Sequence, residues 1–166
     1  MSSKTLPYRP CVGIMLLNHD NKVWVGRRMD DSPDEPYAAH TAWQMPQGGI
    51  DEGEDPTTAA WRELREETGV TSAEIIAEAP DWFTYDFPPE AMTNPIGMKF
   101  RGQRQKWFAL RFKGSEDEVD ISAPDGQDQE FDDWRWVAMR ELPNLIVPFK
   151  RDVYLQVVEA FAHIDA

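Results

Sequence analysis

Apolar positions along the chain predict a series of short strands. The apolar run 11–17 ends in Asn-His-Asp-Asn, a pattern typical of a strand followed by a turn. An extended pattern resumes at Val23, so we predict a hairpin over about 9–28. Large apolar and alternating residues predict three more strands, at Glu74–Ala79, Gln105–Phe112 and Trp134–Val137.

A central helix is predicted over about 56–68 because start and stop signals bracket this segment. Asp55 suits the N-cap position, Pro56 the first helical position, and Gly69 the position after the last turn. Leu64 falls on the side of this helix that would pack against a sheet. The segment therefore reads as one surface helix with a buried face.

A second helix is predicted over about 149–163, where apolar residues such as Val153 and Val157 recur at helical spacing. Pro148 would start it, which would place Phe149 and Lys150 in its first turn. Strands on both sides of a central helix, closed by another helix, predict an α/β fold in which a mixed β-sheet is sandwiched between α-helices.

The remaining segments carry turn and loop signals. We predict a loose leader over 1–7, an exposed loop over 30–40, an irregular aromatic stretch over 81–104 and an acidic, turn-rich stretch over 114–133. A length of 166 residues suits one domain, which we place at 8–166.

The charge balance excludes several partners. With 30 acidic and 17 basic side chains, the formal net charge is −13, which disfavours non-specific binding to nucleic acid or to a membrane surface, and we expect no DNA or membrane partner. No apolar run is long enough for a membrane span, and MSSKTLPYRP lacks the apolar core of a signal peptide. With Cys11 as the single cysteine, we expect a cytoplasmic protein without an intrachain disulfide.

Three glutamates of the central helix, Glu63, Glu66 and Glu67, fall within one 100° stripe. Like charges at this spacing repel each other, and divalent cations remove the repulsion. All-oxygen ligands suit hard cations such as Mg²⁺ or Mn²⁺. The alternative is an ordinary solvated face, in which Arg62 pairs with Glu66 one turn away.

The segment from Gly48 to Val70 resembles the Nudix box. Gly48 is followed after five residues by Glu54 and after seven more by Arg62, which opens the run Arg-Glu-Leu-Arg-Glu-Glu-Thr-Gly-Val. Every defined position of the box is matched. The resemblance implies a Nudix fold and the hydrolysis of a nucleoside diphosphate linked to a further group.

The resemblance also implies roles for individual residues. The Gly48 carbonyl and the side chains of Glu63, Glu66, Glu67 and Glu130 match metal ligands. Of these, Glu66 or Glu130 would take the proton of the attacking water, and Glu63 is also counted as catalytic. Glu54 and Arg62 match a salt bridge that braces loop against helix. Predicted substrate contacts are Arg9, Arg28, Gln47, Lys106, Phe149 and Lys150.

Further segments, among them Trp43–Gly49, Gln105–Phe108 and Phe149–Asp152, resemble the branch of the family that acts on RNA 5′ ends and dinucleoside polyphosphates. The resemblance implies Mg²⁺-dependent cleavage of 5′-triphosphorylated RNA, of diadenosine tetraphosphate, or of both. Two alternatives stay open: a Nudix hydrolase of nucleotide sugars or oxidised nucleoside triphosphates, and a non-catalytic nucleotide sensor. The oligomeric state stays open too.

Overall fold

The structure is a computed structural model that describes residues 6–29, 42–89, 99–123 and 129–165. The predicted loop 30–40 and most of the predicted leader lie outside these residues. Within them, one sheet has the strands β1 (Tyr8–Leu17), β2 (Lys22–Arg28), β3 (Trp43–Gln44), β4 (Gln47–Gly49), β5 (Ala73–Glu78), β6 (Phe83–Asp86), β7 (Gly102–Phe112) and β8 (Phe131–Ala138). The α-helices are α1 (Pro56–Thr68), α2 (Leu142–Leu145) and α3 (Arg151–Phe161).

The sheet is mixed, as predicted. Its main path is β3-β2-β1-β7-β5, while β4 pairs with β1, β6 with β7 and β8 with β2. The β1–β7 pair is parallel and the other pairs are antiparallel. The predicted hairpin 9–28 is right only at its turn, where Leu17 pairs with Val23. Beyond that point the two strands separate, because β4 pairs with β1 and β8 pairs with β2.

Each face of the sheet has its own apolar core, because successive side chains of a strand point to opposite faces. Ile14 of β1 and Phe108 of β7 pack with Leu64 of α1, and we call this side the α1 face. Met15 and Trp107 pack with α2 and α3 on the other side, the α3 face. The predicted sandwich of a mixed sheet between helices is confirmed.

Helix α1 has the predicted bounds and caps. The Asp55 carboxylate accepts a hydrogen bond from Thr57 N at 3.0 Å, and Pro56 is the first helical residue. Gly69 ends the helix at φ 75°, a left-handed conformation that favours glycine. Leu64 is fully buried against the sheet. This helix stands on one face of β1 and β4, which fixes the direction of its glutamates.

The prediction of an irregular stretch over 81–104 is wrong in part, since it contains β6 and the start of β7. In β6, buried Phe83 and Tyr85 alternate with exposed Thr84 and Asp86. Four residues are too few for this alternation to stand out in the sequence. The short strands β3 and β4, and the first three residues of β8, escaped prediction for a similar reason.

The predicted start of the final helix needs a correction. Residues Pro148–Lys150 form a 3₁₀ turn, and α3 begins at Arg151. Lys150 is therefore not in the first turn of the α-helix, and its side chain is buried, with 2% exposed. Among the described residues, no helix has the length and apolar character to cross a membrane.

Candidate active site

Strand β4 brings the chain into direct contact with α1. Gly48 pairs with Val12 of β1, and a Cβ atom at Gly48 would overlap the carboxylate of Glu63. Only glycine therefore lets this carboxylate reach the strand. Glu63 and Glu67 are both buried, each with 9% exposed. The contact places the backbone of Gly48 beside two carboxylates of the helix.

Arg62 organises the acidic side of α1. Its Nε and Nη2 atoms donate to the two oxygens of Glu54, each at 2.8 Å, and Nη2 also donates to Gly49 O at 2.8 Å. Its Nη1 atom donates to Glu63 Oε1 at 2.8 Å and Glu66 Oε2 at 3.2 Å. The hydrogen bonds from Arg62 hold the pKa of Glu54 at about 2, and the same carboxylate raises the pKa of Arg62. One guanidinium thus joins the loop, β4 and two glutamates of the predicted metal face.

Glu67 turns away from Arg62 and towards β4. Its Oε2 atom accepts from Gln47 N at 3.3 Å. Arg62 holds Glu63 and Glu66, and the described ranges contain no group of three acidic, histidine or cysteine side chains that could hold a metal ion. By donor chemistry the set still fits a hard divalent cation, because it consists of carboxylate and backbone oxygens around a strand that only glycine can occupy.

Arg28 and the backbone of Glu130 both lie near the end of β2. Arg28 is buried, with 2% exposed, and its Nη1 atom lies 3.4 Å from Gln44 Oε1. Gln44 pairs with Gly26, whose α carbon faces the ring of Phe131 on the α1 face. The backbone carbonyl of Glu130 accepts from Met29 N at 3.1 Å. The predicted downstream glutamate therefore directly precedes β8 and lies beside Met29, the residue after Arg28.

A chain of glutamines crosses the α3 face. Trp107 Nε1 donates to Gln105 Oε1 at 2.9 Å, and Gln105 Nε2 donates to Gln47 Oε1 at 3.0 Å and Gln103 Oε1 at 2.9 Å. An indole nitrogen can only donate, so the oxygen of Gln105 must face it. The direction of every amide in the chain follows from this one bond. Gln47 and Gln103 consequently direct their NH₂ donors away from Gln105.

Aromatic and cationic groups surround the glutamine chain. Tyr85 pairs with Gln103 across β6 and β7, and its ring centroid lies 5.7 Å from that of Phe149. Lys150 Nζ lies 5.6 Å from the centroid of the Tyr85 ring. Arg9 pairs with Gln103 from the other side, and its guanidinium lies over Gly49. Four of the predicted substrate contacts, Arg9, Gln47, Phe149 and Lys150, thus lie on the α3 face.

The structure does not bring Lys106 together with these four. Lys106 pairs with Val12, so it lies on the α1 face, opposite Arg9 and Gln47. Its ammonium donates to Ala79 O at 2.5 Å and lies 3.4 Å from Glu78 Oε2. These bonds direct the amine towards β5. We therefore leave Lys106 out of the site proposed below.

Three residues of this site were missed as site residues from sequence: Gln103, Gln105 and Tyr85. A signal for the glutamines exists, because Gln103 and Gln105 alternate in step with apolar Trp107, while the residues between them, Arg104 and Lys106, are charged. Glutamines at core-facing positions of a buried strand need hydrogen-bond partners, and such partners mark a polar site. Tyr85 carries no comparable signal.

The chain belongs to the Nudix family. The family model described as the NUDIX domain matches residues 7–157, nearly the whole of the chain. This match covers both faces described above, from Arg9 on β1 to Lys150 before α3.

Curated relatives are similar over nearly their whole length. An RNA pyrophosphohydrolase of Brucella abortus (strain 2308) is 57% identical over 98% of this chain and 92% of its own. An RNA pyrophosphohydrolase of Rhizobium meliloti (strain 1021) is 53% identical over 99% of both chains.

Solved structures share the fold at low identity. The E. coli dihydroneopterin triphosphate pyrophosphohydrolase superposes with a TM-score of 0.64 and 16% identity, over 92% of this chain and 97% of its own. A binary complex of the C. elegans Ap4A hydrolase gives a TM-score of 0.59 and 18% identity, over 92% and 98%. These likenesses concern the fold alone.

Proposed function

We propose that this protein is a Mg²⁺-dependent pyrophosphohydrolase that converts 5′-triphosphorylated RNA to 5′-monophosphorylated RNA and pyrophosphate. Its second substrate class is the dinucleoside tetraphosphates, cleaved to ATP and AMP. The observation that carries the proposal is the junction at β4. Gln47 and Gly48 are neighbours in sequence, yet Gln47 joins the glutamine chain and Gly48 meets the glutamates of α1. The similarity to RNA pyrophosphohydrolases over nearly the whole chain supports the same substrate.

Members of the Nudix family generally use a divalent metal, and we propose Mg²⁺ here. The Gly48 carbonyl and the carboxylates of Glu63, Glu66, Glu67 and Glu130 would hold it. When bound, such a cation neutralises charge on the phosphates and lowers the pKa of a water molecule. Glu63 and Glu66 would exchange their bonds to Arg62 for bonds to the cation, while Arg62 keeps its two bonds to Glu54.

The side chains of this protein then divide the remaining tasks. A carboxylate, Glu66 or Glu130, accepts the proton of the attacking water. The buried guanidinium of Arg28, on the same face, donates to phosphate oxygens. Because the formal charge is −13, a polyphosphate needs these local positive groups to approach at all.

The α3 face holds the nucleoside part. Its side chains direct donors to the ligand: the amides of Gln47 and Gln103, the guanidinium of Arg9 and the ammonium of Lys150. Nucleotides offer many acceptors and flat rings, and Tyr85 and Phe149 supply aromatic surface for a base. We place the protein in the cytoplasm, where RNA 5′ ends are available, with residues 8–166 as one domain.

A side-by-side assay tests the proposal. Triphosphorylated RNA, diadenosine tetraphosphate and ADP-ribose are incubated with the purified protein and millimolar Mg²⁺, with EDTA as the control. We expect pyrophosphate and monophosphorylated RNA from the first, ATP and AMP from the second, and slow turnover of the third. Fast turnover of ADP-ribose with intact RNA would contradict the proposal, and so would activity that survives EDTA.

A further inference from the structure

An exposed tryptophan interrupts the alternation of β6. Buried Phe83 and Tyr85 face the α3 core, whereas Trp82 is 36% exposed and precedes the strand on the side of exposed Thr84 and Asp86. Tryptophan is among the side chains that are enriched at interfaces relative to the rest of a protein surface.

A guanidinium lies flat against this tryptophan. The Cζ atom of Arg104 is 4.4 Å from the centroid of the Trp82 ring, and Arg104 itself is exposed. Within the ranges that the structure describes, Arg104 has no ion pair with a carboxylate. A second pair lies nearby, with Arg101 Cζ 4.7 Å from the Tyr8 ring, but Asp86 accepts from Arg101 at 2.8 Å and offsets its charge. Arg104 therefore presents a positive charge to solvent that no described carboxylate offsets.

The charge of the surrounding segment fits a polyanion. Residues 99–113 contain six lysines and arginines and no aspartate or glutamate, in a chain with 30 acidic residues. Two of these charges are offset by carboxylates, that of Arg101 by Asp86 and that of Lys106 by Glu78. The other four cations of the segment have no ion pair with a described carboxylate, and they attract a polyanion to it.

The exposed pair is continuous with the active site. Arg104 pairs with Thr84 of β6 on one side and Pro10 of β1 on the other. The carbonyl of Pro10 accepts from Ile50 N at 3.0 Å, just past Gly48 and Gly49. The path from β4 to β6 crosses three strand spacings, or about 14 Å. Arg104 faces the α1 side, so a strand that leaves the nucleoside on the α3 face reaches it around the sheet end where β1 and β7 begin.

We propose that Trp82 and Arg104 form a binding platform for the RNA strand downstream of its 5′ triphosphate. This proposal rests on the proposed function and names its substrate class more closely: single-stranded RNA longer than two nucleotides. The exposed indole stacks on a base, and the guanidinium held on its ring donates to a phosphodiester. A dinucleoside polyphosphate has no phosphodiester-linked strand to place on this platform.

The experiment measures KM at constant Mg²⁺ for three substrates: a triphosphorylated octanucleotide, a triphosphorylated dinucleotide and diadenosine tetraphosphate. The variants are Trp82→Ala and Arg104→Gln. Lys113→Gln is the control, because it removes a charge from the same basic segment about 30 Å along the strand direction. Melting temperatures of all variants check the fold.

We expect Trp82→Ala to raise KM for the octanucleotide about tenfold and to leave KM for the other two substrates unchanged. Arg104→Gln should also flatten the slope of log KM against log salt for the octanucleotide by about 0.7. Lys113→Gln should match the wild type on all three substrates.

Three results would overturn the platform but leave the proposed function standing. One is a wild type that cleaves both RNAs with equal KM, and another is a set of variants that raise KM by the same factor for all three substrates. An octaglutamate peptide that competes as well as single-stranded RNA of equal length is the third. The peptide carries charge but no bases, so its success would assign the surface to an acidic protein. A wild type that cleaves diadenosine tetraphosphate but neither RNA would overturn the proposed RNA function, and the platform with it.

Discussion

The α1 face and the α3 face of the sheet present opposite chemistry to a ligand. On the α1 face, carboxylates from one helix stand beside Gly48, and Arg62 holds two of them. On the α3 face, amide and cationic donors stand beside aromatic rings, and Trp107 fixes the direction of the amides. The two faces meet at adjacent residues of β4. A ligand with an anionic part and an acceptor-rich, flat part fits both faces at once, and a nucleotide polyphosphate is such a ligand.

The largest expected effect comes from the α1 face. Glu67→Gln keeps an oxygen that can accept from Gln47 N but removes a negative charge from the proposed cation site. We expect kcat to fall about 10²- to 10³-fold while the circular dichroism melt stays near wild type. Glu159→Gln, on the exposed side of α3, is the control for loss of a carboxylate. Activity within threefold of wild type would refute the assignment of this face.

The α3 face can be tested by reversing its hydrogen bonds. The carboxylate of Gln105→Glu can only accept, so Gln47 and Gln103 must turn their NH₂ groups towards it and their oxygens towards the ligand. Losing two donors at about 1 kcal/mol each should raise KM about thirtyfold.

Gln156→Glu is the control, because it adds the same charge at an exposed position of α3. An unchanged KM for Gln105→Glu, with a folded protein, would show that the glutamine chain does not face the substrate.

The site residues of the α1 face were easier to predict from the sequence than those of the α3 face, and the reason is physical. On the α1 face, all the proposed metal ligands except Glu130 come from the single segment Gly48–Glu67, where helical periodicity and box spacing are visible along the chain. The α3 face comes from β1, β4, β6, β7 and the turn before α3, which meet only through strand pairing. β1 pairs with both β4 and β7, and this strand pairing brings Gln47 of β4 close to Gln103 of β7. No local pattern in the sequence encodes that arrangement. The separation of Lys106 from the predicted contacts on the α3 face has the same origin, since strand register decides which face a side chain joins.

Phe149→Ala separates a stacking role from a packing role. Phe149 is half-buried against the α3 core, and its ring lies 5.7 Å from that of Tyr85. We expect KM for nucleotide substrates to rise about tenfold. The loss of stability should be about 1–2 kcal/mol, below the ~3–5 kcal/mol of a fully buried phenylalanine. KM and the melting temperature are measured on one preparation. A stability loss of ~3–5 kcal/mol together with an unchanged KM would remove Phe149 from the site.

The smallest expected effect concerns the ion pair between Glu54 and Arg62, next to the glutamates of the α1 face. Glu54 has its pKa lowered from 4.5 to about 2 by Arg62, so the pair stabilises the fold fully above about pH 4.5 and loses that effect as the pH falls through about 2. Glu54→Gln should cost about 1–2 kcal/mol at pH 7, because solvent screens part of the interaction.

Urea melts of wild type and Glu54→Gln at pH 7, 4 and 2.5 measure this difference. The two proteins should converge in acid. A difference that stays constant over this range would mean that the ion pair does not account for the stability.

The most direct test of the division between the faces is the Mg²⁺-induced shift in melting temperature, measured in wild type, Glu67→Gln and Gln105→Glu. Binding at a hundredfold excess over Kd stabilises by about 2.7 kcal/mol, or about 5–10 °C for a chain of this size. Na⁺ at matched ionic strength controls for screening. We expect wild type and Gln105→Glu to show the shift and Glu67→Gln to lose most of it. Equal shifts in all three proteins, or none in the wild type, would contradict a cation site on the α1 face.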